Sequence, residues 1–144
     1  MEPGLSLQIV WSDQNALEVA VRAWNGSFGG HADVYCGLQA LGSIADAIRG
    51  FPRGTGDMRE VTLGSLERKY AGGGVKLRFH CVDSPGHAFV EVMIDSNHPL
   101  GGTVQTALVS LPVEATAVDS FVEALVRMGT THEGSARLRT PPLR

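Results

Sequence analysis

The chain has 144 residues, 43% hydrophobic and 19% charged, with twelve Lys and Arg against fifteen Asp and Glu for a net charge of −3. This composition suits a globular chain long enough to bury one core. The dispersed basic residues argue against nucleic acid or an anionic membrane as main partner, and no window approaches the ~18 apolar residues of a spanning helix. Two cysteines, Cys36 and Cys81, stand far apart with no CxxC pattern, so neither a disulfide framework nor a metal knuckle is expected. The opening MEPGLSLQIVW lacks the basic region of a secretory signal, and the expected compartment is the cytoplasm.

In chain order, LSLQIVW alternates with Leu5, Leu7, Ile9 and Trp11 on one side, the period of a half-buried strand. ALEVAVRAW, residues 16–24, repeats the pattern, and Asn25-Gly26 then gives the sequence signal of a two-residue type I′ hairpin. That register sets Ala23 opposite Phe28, Val19 opposite Ala32 and Leu17 opposite Val34. It sends Phe28, Ala32, Val34 and Cys36 inward, and it leaves one like-charge mismatch, Glu18 opposite Asp33. From Gly37 the spacing changes: Leu38, Leu41, Ile44, Ala45 and Ile48 form a helical stripe, stopped by Gly50.

Residues 58–70 return to the sheet, with Val61, Leu63 and Leu66 out of one parity and Gly64 a candidate bulge. VKLRFHCVD and HAFVEVMI read as a hairpin around Pro85-Gly86, which fits the centre of a type II turn. The implied register pairs Cys81 with Val90 inside, and Val82 with Phe89, His80 with Glu91 and Arg78 with Met93 outside. TVQTALVSL is a strand of weak face preference that could contact another subunit. A second helix follows Pro112, with Val118, Phe121, Val122, Leu125 and Met128 on its buried stripe and Gly129 as terminator. Residues 130–144 read as a loose tail, which leaves 1–129 as a single domain. The expected fold is α+β: a mainly antiparallel sheet of about seven strands with two helices on one face, in the order βββ-α-ββββ-α.

The chemistry-bearing residues are few. FHCVDSPGHAFVEV gathers His80, Cys81, Asp83 and His87, but alternation sends His80 and Cys81 to opposite faces, so they cannot chelate one metal. Asp83 and His87 flank the turn, where a local hydrogen bond is expected. Cys36 reads as a small buried hydrophobe, with a helix-terminal nucleophile as the alternative. The glycine clusters FGGHAD, RGTGDM and AGGGVK lack phosphate-loop spacing and read as turns and bulges. No metal site and no cofactor are expected. The helix-free face of the sheet carries an unusual mixture of aromatic, methionine and charged residues. Trp24, His31 and Tyr35 stand on it from the first strands, and His80, Phe89, Glu91 and Met93 from the later hairpin.

The run YCGLQALGSIADAIRGFP, then REVTLGSLE, a glycine turn and GHAFVEVMI, resembles small bacterial α+β proteins related to the immunity protein of the wall-associated toxin system. The similarity covers residues 16–128. It implies a cytoplasmic protein that neutralises a toxin by direct binding, without catalysis or cofactor; it carries no binding residue to this chain. Three readings stand: a protein-binding module using the helix-free face or a sheet edge; an enzyme or small-ligand carrier with a pocket between sheet and helices, using Cys36, His31 or His80; and a subunit that dimerises through its last strand.

Overall fold

A computed structural model describes residues 2–65, 73–83, 87–96 and 105–141. Its described residues form two helices and eight strands in two antiparallel sheets of four, in place of one sheet of about seven. Strands β1 (Gly4–Ser12), β2 (Ala16–Trp24) and β3 (Gly29–Gly37) make a meander, and α1 (Ala40–Ile48) follows. Strands β4 (Met58–Gly64), β5 (Gly74–Cys81), β6 (Ala88–Ser96) and β7 (Gln105–Val113) make the second sheet in sequence order. Helix α2 (Ala115–Thr131) leads to β8 (Ser135–Arg139), which returns to pair with β1, so the first sheet runs β3-β2-β1-β8.

The expected tail is therefore structured through β8. Ala136 and Leu138 are buried while Ser135, Arg137 and Arg139 are exposed, the alternation of a strand with one solvated face. Gly129 does not end α2. It lies inside the helix where a Cβ would come within 3.4 Å of Gly42 N on α1, so it serves a close helix crossing. The terminator is His132, at φ 59, whose N–H donates to Met128 O at 2.8 Å.

Both hairpin registers differ from expectation by two residues. At residues 25–28 the loop has four residues, because Asn25 acts as an Asx turn. Its Oδ1 accepts from the N–H groups of Ser27 (2.9 Å) and Phe28 (2.8 Å), and its own N–H donates to Phe28 O. Val19 therefore pairs with Val34, Leu17 with Cys36 and Glu18 with Tyr35, which removes the charge mismatch. Phe28, expected inward, sits in this loop, 70% exposed. In the second hairpin Cys81 pairs with Ala88, Phe79 with Val90 and His80 with Phe89; the Pro85-Gly86 turn lies outside the described residues. A slip of one residue would have turned every side chain over; a slip of two preserves the faces. In β4, Val61 and Leu63 keep one parity opposite Leu77 and Val75, and Leu66 lies outside the described residues.

The inward residues of both sheets and the buried stripes of both helices form one contiguous core. The sheets meet at a corner, where β3 crosses the ends of the second sheet's strands. A Cβ at Gly30 would fall 2.9 Å from Ala107 Cβ of the second sheet, and one at Gly73 would fall 2.5 Å from Asp95 O in its own sheet and 3.4 Å from Ala32 Cβ on β3, so glycine suits both positions at this junction. Gly73 N–H also donates to Asp33 O at 3.3 Å. The glycine clusters thus serve sheet packing as well as turns.

A partly buried ion pair ties α1 to the second sheet. Arg59 on β4 holds Asp57 through Nη2 (2.8 Å) and Nε (3.1 Å), donates through Nη1 to Arg49 O (2.6 Å) and Ala47 O (3.3 Å), and lies over the Phe51 ring. It satisfies carbonyls at the end of α1 that have no partner within the helix. Asp57 accepts further from Arg53 N–H, and its own carbonyl receives Cys81 N–H.

Candidate protein-binding faces

Strand alternation and pairing order the outward side chains of the second sheet into rows across its four strands. One row is Met58, His80, Phe89 and Pro112; the next is Glu60, Arg78, Glu91 and Ser110; the third is Thr62, Lys76, Met93 and Leu108. Two rows with apolar members thus flank a charged one. Met58, Phe89 and Leu108 are exposed, Leu108 to 63%, and His80, Met93 and Pro112 are half-buried. The charges balance and pair loosely: Arg78 with Glu91 and Lys76 with Glu60, both at 4.0 Å. Arg78 Nη2 also reaches Met58 Sδ at 3.4 Å, laying a guanidinium alongside the thioether.

The first sheet has its own outer face, which borders the second sheet where His31 shares a depression with Gln105 and Thr106. Its rows are Arg139, Gly4, Trp24 and Gly29; then Arg137, Ser6, Arg22 and His31; then Ser135, Gln8, Ala20 and Asp33; and last Trp11, Glu18 and Tyr35. Trp11, expected inward, belongs here because a bulge between Ile9 and Trp11 inserts Val10 and turns the strand over. Trp24 has glycines as neighbours on both sides, and a Cβ at Gly29 would come within 2.7 Å of the indole Cε3. Glu18 beside the phenol, helped by partial burial, a hydrogen bond to that carboxylate and the charge of Asp33, raises the Tyr35 pKa above its ordinary value. His31 Nε2 stands 3.2 Å from Asp33 Oδ1.

The seven residues picked from sequence therefore divide. Trp24, His31 and Tyr35 share the first sheet's outer face, and His80, Phe89, Glu91 and Met93 share the second's. Within the second group the neighbours differ from expectation: His80 stands between Met58 and Phe89, Glu91 between Arg78 and Ser110, and Met93 between Lys76 and Leu108. Met58, Leu108, Pro112 and Trp11 are members of these faces that sequence reading missed. The signal for Met58 was the alternation of MREVTLG, readable only once β4 is known to border β5.

Cys36, His31 and His80 do not converge. Cys36 has inward parity opposite Leu17, and burial pushes its thiol up to about 11, which keeps it protonated and poorly nucleophilic near neutral pH. His31 and His80 stand on the outer faces of different sheets. The depression beside His31, about 360 Å³ and lined by Arg22, Ala23, Trp24, Gly29 and Gly30, opens to solvent. Asp83 and His87 form a local pair across the end of the β5-β6 hairpin, as expected. Among the described residues no three His, Cys, Asp or Glu side chains come together as metal ligands, and no helix is long and apolar enough to cross a membrane. Comparison with protein-family models, with curated proteins and with solved structures finds no match for this chain.

Proposed function

We propose that this chain is a non-enzymatic bacterial binding protein that engages another protein through the outer face of its second sheet. In line with the resemblance noted above, the partner would be a toxin, and the chain its cytoplasmic immunity protein. The observation that carries the reading is the row pattern itself. Met58, Phe89 and Leu108 stand exposed on either side of the row of Glu60, Arg78 and Glu91, whose charge Lys76 balances from the row of Met93 and Leu108, supplying apolar anchors with polar groups between them. Methionine adds adaptability, because its unbranched thioether repacks readily against a partner.

The test is co-expression with a toxin encoded beside this gene. Cells carrying the wild-type chain are expected to survive, and the two proteins to co-purify as a complex. Phe89→Asp combined with Met93→Asp should abolish both survival and complex, while Arg127→Asp on the exposed side of α2 should change neither. A neighbouring product that is not toxic or does not bind, or full protection by the double variant, would refute the reading.

A further inference from the structure

The outer face of the first sheet concentrates the residue types that dominate binding energy in protein interfaces. Both tryptophans of the chain stand on it with Tyr35, Arg22 and Arg137. Trp24 lies between the bare backbones of Gly4 and Gly29, half-buried and accessible from above. Charge is sorted along the strands. Arg137, Arg22 and His31 share one row, Arg137 paired with Glu2 at 3.3 Å, with Arg139 one row beyond; the central row is Ser135, Gln8, Ala20 and Asp33, and Glu18 lies on its other side in the row of Trp11 and Tyr35. Arg22 makes no ion pair among the described residues.

We propose that two copies of this chain pair face to face through this surface, about a twofold axis that runs across the strands at the row of Gln8 and Ala20. Rotation about that axis reverses the strand direction and lays the Arg22 row of one copy over the Glu18 row of the other, twice by symmetry. Arg22 and His31 of each copy then meet Glu18 and Tyr35 of the other. Asp33, in the central row, then faces its own copy across the axis, a like-charge cost that the two Arg22–Glu18 contacts must outweigh; a second copy is still favoured over an anionic ligand or nucleic acid, since neither of those offers Glu18 a cation. Strands about 4.8 Å apart, three of nine residues and one of five at about 3.3 Å each, give a face of roughly 500 Å² per copy. Twice that falls in the size range of weak, transient interfaces, so the dimer is a weak one held partly by charge.

The experiment is sedimentation velocity on the full chain, from low to high micromolar concentration, at low and high salt. The wild type is expected to dimerise with concentration and to dissociate as salt rises. Arg22→Glu and Glu18→Arg should each weaken self-association at least about tenfold by setting like charges together. An equimolar mixture of the two variants should recover the dimer, because both contacts again join opposite charges. Phe89→Asp with Met93→Asp should leave it intact, which separates this surface from the one proposed for a toxin. Should a charge variant fail to fold by circular dichroism, Trp24→Ser supplies the same expected loss. A wild type monomeric throughout, a dimer that survives a folded Arg22→Glu or Trp24→Ser variant, a mixture of folded charge variants that stays monomeric, or a dimer lost in the Phe89 and Met93 variant overturns the proposal.

Discussion

Replacing Arg59 by Met keeps most of the aliphatic stem and removes the guanidinium. Four hydrogen bonds go with it, two to Asp57 and two to the carbonyls of Ala47 and Arg49, together with the contact over Phe51. The Asp57 carboxylate, only 15% exposed, is left with the Arg53 N–H as partner. Removing one member of a largely buried pair costs about 3–5 kcal/mol when the other charge stays buried, and the remaining exposure here favours the lower end, about 3 kcal/mol. With an unfolding entropy of about 2.1 cal/mol/K per residue, a chain of this length should lose roughly 10 °C in Tm. The assay is thermal and urea unfolding followed by far-UV circular dichroism at pH 7 and again in acid. Hydrogen bonds from Arg59 hold the Asp57 pKa below the ordinary carboxylate range; the Arg53 N–H and the charge of both arginines assist, against burial. A depressed folded pKa contributes stability above the unfolded value, about 3.9, and that contribution fades as pH falls through the folded value. The gap between wild type and variant should therefore narrow below about pH 4. A cost under about 1 kcal/mol at pH 7, or a gap that does not change in acid, would refute the argument.

Two further outcomes follow from burial. Leu138→Ala, in a strand whose Leu138 is fully buried opposite Leu5, should cost about 2–5 kcal/mol in urea unfolding, whereas an unstructured tail would show no change. Burial raises the Cys36 thiol to about 11, so its alkylation should be slow at pH 7, accelerate steadily toward that value, and become fast at pH 8 in denaturant; native labelling at the rate of a free thiol would contradict this.

What the sequence made legible was local. The alternation in β2, β5 and β6, that of β1 as far as Ile9, and the buried stripes of α1 and α2 appear as read, since each arises from neighbours within a few positions. The hairpin registers were off by two because Asn25 spends its side chain on an Asx turn, a choice that the pair Asn25-Gly26 alone does not reveal. Trp11 was placed on the wrong face because a bulge leaves no composition signal of its own. Serine 135 to Arg139 alternates as a strand should, yet five residues before Pro141 give too little pattern without knowledge of the β1 edge that they complete. The division into two sheets depends on β3 crossing strands far away in sequence, and glycines such as Gly30 and Gly73 read equally well as turn residues. The candidate residues do point outward, but a single imagined sheet assigned to one sheet residues that the fold divides between two.

The pairing of β8 with β1 also bears on the order in which this chain can fold during synthesis. The first three strands emerge from the ribosome together, but the free edge of β1 stays open until residues 135–139 have been made and α2 has brought them back. Such long-range closure slows folding. Until then the β1 edge lacks its partner strand, the kind of open edge that can pair with another chain.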